Sequence, residues 1–415
     1  MKKIFQSCLL SFLITVSIID FSYADTSTDP TPQLQAAADQ YLNDYHMQEG
    51  FSAITLSVST PTIPLITVNS GCTQISDPEH CIVPTENNLY QIGSNTKAFM
   101  AVILLQLEAE HVHGFNINNP LSKYFALPLA WQQNSTHEIT VKELLNMTSG
   151  IPDYTSDNQF WNDIINNPYR KFTPTDLIAY TVNQPLDFIP GTSWEYSNTN
   201  YIFAGLLIEK LTGHSLQYEI QTRISTPLNL NDIYYKPFAY PNIPFYTRMV
   251  HGYDYMSGQF PVGTDITDYS ISALNSAGAL IATIPDVLQW AHALYTSPTL
   301  LAPQQRAELE SLVDVNNGQA INKPDPWGYG LGVWSMIGPH DETVYLYMGT
   351  PFGYNVMYVY FPKEQITIVF GINSSTSGDP SVVTQLLAFV DRIYDILEPG
   401  DPANLVVSQM LPVTN

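Results

Sequence analysis

The feature that most restricts the fold of this chain is where its strand-like segments lie. Two of them, Ala53–Val58 and Pro64–Asn69, stand near the amino terminus, and the others lie in the last third of the chain. Residues 115–264 between them carry short helical patterns broken by Pro and Asn. This order favours one sheet assembled from both chain ends, with helices inserted between. The predicted fold class is α+β: an antiparallel sheet flanked by helices, with an inserted all-helical lobe.

Periodic segments along the chain complete this prediction. Helical periodicity marks Pro32–Gly50, Ser94–Glu110, Val141–Met147, Pro174–Thr181, Tyr201–Leu211, Ile284–Tyr295 and Ser381–Leu397. Strand patterns spaced as in an antiparallel meander mark Tyr329–Trp334, Thr343–Tyr347, Tyr354–Phe361 and Gln365–Ile372. We therefore expect a sheet domain formed by residues 25–114 and 265–398, a helical lobe at 115–264, and a loose tail at 399–415.

Residues 1–24 have the composition of a signal peptide. Lys2 and Lys3 precede a mostly apolar run over residues 4–19, and small residues lead to a cleavage position after Ala24. The alternative is a membrane anchor, which the short and interrupted apolar run disfavours. We therefore expect export to the periplasm or the medium, with no stable membrane anchor.

Composition and charge exclude several classes of partner. Of the 415 residues, 45% are hydrophobic and only 13% charged, which is typical of a globular chain. The formal charge is −23, and removing the first 24 residues, with their two lysines and one aspartate, brings it to −24. Such a charge argues against nucleic acid and anionic lipid as partners.

Two cysteines remain after the predicted cleavage, Cys72 and Cys81. In an oxidising compartment they are expected to form a disulfide that closes a polar loop; the alternative is two free thiols. His111 and His113 end a helical pattern and are interpreted as structural or solvated. No other residues have metal-ligand spacing, so we expect neither a metal nor another cofactor.

The chemistry begins with Ser94 and Lys97, three residues apart at the start of a helical pattern. This spacing places both side chains on one helix face. A serine hydroxyl becomes a good nucleophile when a neighbouring base takes its proton, and lysine can be that base if burial lowers its pKa. The alternative is a helix cap followed by a solvated lysine.

Two further segments offer supporting groups. Tyr196 and Asn198 follow a Pro-Gly turn, where a phenol can shuttle protons and an amide can bind the lysine and a substrate carbonyl. Tyr347, Gly349 and Thr350 end a strand, and the Thr350 N–H could pair with that of Ser94 as an oxyanion hole. The alternatives are a buried tyrosine with a capping asparagine, and an ordinary hairpin.

Together these segments resemble the serine β-lactamase and penicillin-binding family. The order Ser-x-x-Lys, Tyr-x-Asn and a strand-borne x-x-Gly is similar to the branch of class C β-lactamases, secreted D-alanyl-D-alanine carboxypeptidases and related esterases. The similarity extends over about residues 32–395 and includes residues 90–93, 139–152, 190–201, 276–278 and 328–332.

The resemblance implies roles for the residues named above. Ser94 would be acylated, Lys97 would assist proton removal, and Tyr196 would act as acid and base. Asn198 would position the substrate amide. The N–H groups of Ser94 and Thr350 would form the oxyanion hole.

The chain departs from the family in its third motif, which usually begins Lys-Thr-Gly or His-Thr-Gly. Here Tyr347 and Met348 precede Gly349. The usual groups help hold the carboxylate of a penicillin or a terminal D-alanine, so the carboxylate pocket is expected to be weakened. Losing one charge-assisted hydrogen bond costs about 1.5–3 kcal/mol.

The resulting hypothesis is a serine acyl hydrolase, foremost a DD-carboxypeptidase-like enzyme acting on cell-wall peptide. The first alternative is an esterase on the same scaffold, which the aromatic residue at the third motif favours. Efficient β-lactam hydrolysis and a non-catalytic penicillin-binding-like protein are the remaining alternatives. The expected partners are therefore small peptides, esters or β-lactams.

Overall fold

A computed structural model of the chain describes residues 29–75, 81–132, 137–255, 259–375, 380–400 and 405. The predicted signal peptide lies outside these residues, as does most of the predicted tail, so both stay predictions. One residue of the tail, Leu405, is buried, and its N–H donates to Asp391 at 3.1 Å.

Every predicted helix, and every predicted strand except Tyr329–Trp334, overlaps an element of the structure, which also contains shorter elements that were not predicted. The strands are β1 (Ala53–Ser59), β2 (Ile66–Gly71), β3 (Leu89–Gln91), β4 (Ile233–Tyr235), β5 (Tyr253–Asp254), β6 (Thr264–Asp265), β7 (Leu280–Thr283), β8 (Leu312–Asp314), β9 (Ala320–Ile321), β10 (Trp327–Tyr329), β11 (Trp334–Ile337), β12 (Thr343–Gly349), β13 (Asn355–Phe361), β14 (Ile366–Ile372) and β15 (Ser374–Ser375). The α-helices are α1 (Thr31–Glu49), α2 (Thr96–Ala109), α3 (Leu129–Gln132), α4 (Val141–Leu145), α5 (Asn158–Asn166), α6 (Pro174–Ala179), α7 (Asn198–Thr212), α8 (Leu216–Ile220), α9 (Asn275–Gly278), α10 (Ile284–Thr296), α11 (Pro303–Leu309) and α12 (Pro380–Leu397).

One sheet joins the two ends of the chain, as predicted. Its order is β2-β1-β14-β13-β12-β11-β10-β8-β9, and its neighbouring strands are antiparallel. The amino-terminal β1 lies against the carboxy-terminal β14, with Ile54 opposite Ile372. Both strands are buried along their whole length because helices cover both faces of this part of the sheet. The α+β prediction is confirmed.

Aromatic contacts hold the two helical layers in place. On one face, Phe389 of α12 lies 4.5 Å from Tyr41 of α1 and 5.3 Å from Phe370 of β14, measured between ring centroids. In the layer with α10, Phe99 of α2 stacks on Trp290 of α10 at 3.8 Å. Helix α2 is therefore a central, almost wholly buried element, which is a rigid support for a reactive group.

The prediction of one strand over Tyr329–Trp334 is wrong. The structure ends β10 at Tyr329 and begins β11 at Trp334, and the residues between them form a tight turn. Gly330 donates its N–H to Val333 O, and Gly332 has a left-handed φ of 76° that favours glycine. The pattern predicted a strand because the flanking residues are aromatic and β-branched.

The inserted lobe is mainly helical but not wholly so. Residues 115–264 also contain β4, β5 and the first residue of β6. Ile233 and the two tyrosines after it pair with β7 in a small sheet of order β3-β7-β4, because their side chains suit a pleated, half-buried surface. The part of the prediction that called the lobe all-helical is therefore corrected.

Cys72 and Cys81 form a disulfide, with their Cα atoms 5.2 Å apart. This pairing is the one predicted from the sequence.

In the described part of the chain, none of the helices combines the length and the apolar character that crossing a bilayer requires.

Candidate active site

Ser94 lies in a single turn of 3-10 helix, Gly93–Asn95, that runs directly into α2. Gly93 has a φ of 52°, which glycine adopts without strain. The Asn95 side chain fixes the turn to the sheet, since its Nδ2 donates to Ile92 O at 2.7 Å and to Val356 O of β13 at 2.9 Å. The serine therefore stands at the start of the helix, as predicted.

Lys97 is fully buried and points at Ser94. Its Nζ lies 3.0 Å from Ser94 Oγ, 2.8 Å from Asn198 Oδ1 and 2.9 Å from the carbonyl oxygen of Ala277. Two of these partners can only accept, so they hold two of the amine's hydrogen atoms. The third position faces the serine, and it holds a proton when the amine is charged and a lone pair when it is neutral.

Burial lowers the pKa of Lys97 to about 7, because removing the ammonium from water disfavours its charged form. The carboxylate of Asp153 acts in the opposite direction and moderates this effect. A substantial fraction of the amine is therefore neutral near neutral pH. This is the condition under which a lysine can accept the serine proton.

Asn198 is oriented by the half-buried carboxylate of Asp153. Its Nδ2 donates to Asp153 Oδ2 at 2.9 Å and contacts Thr155 Oγ1 at 3.3 Å, which turns Oδ1 towards Lys97. Asp153 itself accepts from the Thr155 N–H and hydroxyl. Asn198 is thus placed to hold the lysine, and its predicted contact with a substrate amide stays a prediction.

Tyr196 brings a phenol to the other side of the nucleophile. Its hydroxyl donates to Ser94 Oγ at 2.9 Å, and the Lys97 ammonium lies 4.8 Å from the centre of its ring. Burial raises the pKa of Tyr196, so the phenol keeps its proton in the resting site. The three predicted catalytic residues therefore meet in one place.

Tyr347 occupies the position where the family's Lys or His is expected. It is buried, and its hydroxyl lies 3.3 Å from that of Tyr196 and 3.0 Å from that of Tyr329. Burial raises the pKa of Tyr347 well above its usual value. The group at this position is therefore a neutral phenol bonded to other phenols.

Gly349 and Thr350 lie beside the nucleophile's turn. A Cβ placed on Gly93 would lie 3.0 Å from the Thr350 N atom, so the two backbones run close together. In the described part of the chain, neither the Ser94 N–H nor the Thr350 N–H has a hydrogen-bond acceptor. Two free N–H donors from adjacent backbone segments beside the nucleophile are what an oxyanion hole requires.

Three groups of this site were not among the residues predicted from the sequence. They are Asp153, Tyr329 and the Ala277 carbonyl oxygen, and each reaches the site only through tertiary contacts. A signal did exist for all three: Asp153 directly follows the family-like segment 139–152, Ala277 lies within 276–278, and Tyr329 lies within 328–332. Among the described residues, no group of three or more His, Cys, Asp or Glu side chains could hold a metal ion.

Comparison with known proteins identifies the family. The family model described as Beta-lactamase matches residues 71–391. This chain belongs to the beta-lactamase family. It is a serine hydrolase of the beta-lactamase fold, and penicillin-binding protein 4* of Bacillus subtilis (strain 168) is one relative, 25% identical over 329 residues that span 76% of this chain and 68% of that protein.

Solved structures agree with this family membership. A D-stereospecific amidohydrolase from Streptomyces sp. is 26% identical, with a TM-score of 0.70 over 88% of this chain and 99% of that one. A D-amino acid amidase from Ochrobactrum anthropi SV3 has the same fold, with a TM-score of 0.71, 22% identity, and coverage of 88% of this chain and 98% of that one.

Proposed function

We propose that this chain hydrolyses small D-amino-acid amides or short peptides with an uncharged leaving group, through an acyl-enzyme on Ser94. One observation carries the proposal: the buried amine of Lys97 lies 3.0 Å from Ser94 Oγ and gives its other two hydrogen bonds to carbonyl oxygens. A neutral amine held in this way directs its lone pair at the serine hydroxyl.

Acylation starts at this contact. Lys97 takes the proton of Ser94 while Oγ bonds to the substrate carbonyl carbon, and the carbonyl π electrons move to its oxygen. The N–H groups of Ser94 and Thr350 stabilise that oxyanion. Removing one such donor elsewhere costs about 10²–10³-fold in rate, so this pair accounts for a large share of the catalysis.

Breakdown of the tetrahedral intermediate needs a proton for the leaving group. Tyr196 supplies it and becomes a phenolate, which the nearby ammonium of Lys97 stabilises. The leaving amine departs with its bonding electron pair. Water then gives a proton to the Tyr196 phenolate as its oxygen attacks the acyl carbon, and Lys97 returns its proton to the Ser94 oxygen as the acid is released.

The proposed substrate class follows from charge. The family's Lys or His is replaced by Tyr347, which is neutral and bonded to Tyr196 and Tyr329. Lys97 is the cation that contacts the nucleophile, and its hydrogen bonds are committed within the protein. A leaving group with a carboxylate would find no partner in these groups, whereas an amide or ester without one needs none.

The D configuration and the amide bond are proposed from the relatives. The amidohydrolase and the amidase match this chain over nearly their whole lengths. Similarity to penicillin-binding protein 4* favours a second candidate, a DD-carboxypeptidase acting on cell-wall peptide. An esterase activity on the same scaffold is the third candidate, because the alcohol of an ester is a better leaving group than the amine of an amide.

The mature enzyme is proposed to be exported, consistent with the Cys72–Cys81 disulfide.

A substrate panel tests these candidates. The purified mature chain is given D-phenylalanine amide, its L enantiomer, a peptide ending in D-Ala-D-Ala, 4-nitrophenyl acetate and a fluorescent penicillin. We expect turnover of the D-amide above the L-amide, and no carboxypeptidase activity. Release of D-alanine faster than amide hydrolysis would overturn the neutral-substrate proposal in favour of the carboxypeptidase. Ser94→Ala is the control that must remove every activity.

A further inference from the structure

Met147 lies in the turn that follows α4, in a backbone conformation that disfavours a side chain. It is fully buried and has a left-handed φ of 67°. Its N–H donates to Leu144 O at 3.4 Å, and the N–H of Thr148 donates to Glu143 O at 3.0 Å. This pair of bonds ends many helices, and the left-handed position between them is most often glycine. Residue 147 therefore carries a long side chain where the backbone favours none.

The sulfur of that side chain accepts two hydrogen bonds. The backbone N–H of Ser197 and the Nδ2 of Asn200 each donate to Met147 Sδ at 3.4 Å. The Ser149 hydroxyl donates to Asn200 Oδ1 at 2.7 Å, which turns the amide nitrogen towards the sulfur. Both donor residues are buried, and a buried N–H without an acceptor is unfavourable. The thioether therefore satisfies two polar groups that are withdrawn from water.

Met147 holds the residues on both sides of Tyr196. Its carbonyl oxygen accepts from the N–H of Glu195 at 3.1 Å, and its sulfur accepts from that of Ser197. The chain on either side of Tyr196 is thus tied to one residue. Since the Tyr196 phenol lies 2.9 Å from Ser94 Oγ, these bonds set where the phenol stands at the nucleophile.

The same sulfur holds the start of α7, which carries Asn198. Ser197 precedes Asn198 directly, and Asn200 follows it by two residues. Both neighbours donate to the sulfur, so the first turn of the helix is fixed against the loop after α4. The Asn198 Oδ1 accepts from Lys97 Nζ at 2.8 Å. The sulfur therefore lies one step behind both the phenol and the amide of the site.

We propose that Met147 is a positioning residue for the reaction, because its sulfur holds the segment that carries Tyr196 and Asn198. It acts through those two residues and not on the reacting atoms. Its part in catalysis rests on the proposed function, whereas its two hydrogen bonds rest on the contacts alone. The left-handed backbone fits this role, since strained residues persist where a site depends on them.

The competing explanation is that Met147 only fills space in the core. Met147→Leu keeps the apolar bulk but places a carbon where the sulfur lies. Met147→Asn loses bulk, but its Oδ1 is as many bonds from Cα as the sulfur, and asparagine tolerates a left-handed φ. A packing role predicts that the leucine variant is the better enzyme. An acceptor role predicts that the asparagine variant is.

Stopped-flow acylation by 4-nitrophenyl acetate measures this order, since varying the ester separates the maximal acylation rate from apparent binding. In Met147→Leu the maximal rate should fall about ten- to hundredfold with binding little changed, because small displacements of catalytic groups are costly. Met147→Asn should acylate about tenfold faster than Met147→Leu, although its lost bulk lowers its melting temperature. The control, Met336→Leu, changes a buried methionine of β11 and should keep the wild-type rate. A wild-type rate in Met147→Leu, or a slower rate in Met147→Asn, would overturn the proposal.

Hydrogen exchange of the Ser197 N–H tests the contact without any turnover. The chain is labelled with ¹⁵N-serine, and the Ser197 signal is assigned by its loss in Ser197→Ala. Exchange should be about three- to tenfold faster in Met147→Leu, the worth of one hydrogen bond, and close to wild type in Met147→Asn. Unchanged exchange in Met147→Leu would show that the sulfur is not the acceptor and would refute the proposal. A wild-type chain that does not react with the ester would instead contradict the proposed function, and the exchange rates would then decide the role of the sulfur.

Discussion

Gly349 lies so close to the carbonyl oxygen of Ile92 that a Cβ on residue 349 would be 1.9 Å from it. The contact brings the third motif against the residue that precedes the nucleophile's turn. Both partners are backbone, so neither can move aside as a flexible side chain would. The position of the Thr350 N–H relative to Ser94 therefore depends on the absence of a side chain at residue 349.

Gly349→Ala should separate the two backbones and disrupt the oxyanion hole. Overpacking of this kind costs about 1–3 kcal/mol of unfolding free energy, and we expect activity to fall by 10²-fold or more. Gly213→Ala is the matched control: its φ of 73° makes alanine unfavourable, but no atom lies within 4 Å of the added Cβ. It should lose comparable stability and keep its activity. Equal activity in both variants would contradict the role given to Gly349, with denaturant unfolding and initial rates as the measurements.

The lowered pKa of Lys97 predicts how the rate of acylation depends on pH. Burial lowers the pKa of Lys97 to about 7, and only the neutral amine can accept the serine proton. The rate of acylation should therefore rise with pH through about 7 and level off above it. Stopped-flow acylation with 4-nitrophenyl acetate measures this. An acid limb near pH 4–5 would instead point to a carboxylate as the base.

Lys97→Arg keeps the positive charge but cannot lose a proton at these pH values. The variant should lose about 10²–10⁴-fold in acylation rate, the usual contribution of a general base. Near-wild-type rates in Lys97→Arg would show that the amine acts only as a charge.

Asp153→Asn should affect the site through Asn198. The substitution removes the carboxylate that orients the Asn198 amide and that favours the charged form of Lys97. We expect the acid limb of the rate profile to move to lower pH and the plateau rate to fall about ten- to hundredfold, since small displacements of a base are costly. Asp157→Asn, at the exposed cap of α5, is the control and should leave both unchanged. If the acid limb of the rate profile stays at the wild-type pH, Asp153 does not influence the pKa of Lys97 as proposed.

Because the third motif is neutral, we expect that substitutions there can increase acylation by a penicillin. Replacing Tyr347 by His and Met348 by Thr introduces the residues that the family resemblance implies for holding a carboxylate. Acylation by a fluorescent penicillin should become about ten- to hundredfold faster, the worth of one charge-assisted hydrogen bond. Gel fluorescence against time measures it. No acceleration would mean that other groups set the preference for neutral substrates.

The sequence predicted the parts of the site that depend on local geometry. Ser94 and Lys97 meet because residues three apart share a helix face, and their 3.0 Å contact agrees with that expectation. The sheet built from both chain ends followed from the positions of the strand patterns. The turn between β10 and β11 was missed because its glycines lie within a run of aromatic and β-branched residues.

The remaining parts depend on contacts between distant segments. Asp153 meets Asn198 across 45 residues, and Lys97 meets the Ala277 carbonyl across 180. Periodicity and spacing describe only neighbours along the chain, so they could not indicate these pairs. The contact between the Tyr329 and Tyr347 hydroxyls is a similar case, because the two residues lie on strands separated by β11 and each alone resembles an ordinary core tyrosine.

The central claim is that Ser94 is the nucleophile, and trapping its acyl-enzyme tests this most directly. The chain is incubated with a fluorescent penicillin or a slowly deacylating ester, quenched in acid and digested, and the labelled peptide is sequenced by mass spectrometry. We predict one adduct, on Ser94, that is absent in Ser94→Ala while that variant melts within a few degrees of the wild type. An adduct on another residue, or one that persists in folded Ser94→Ala, would contradict the account.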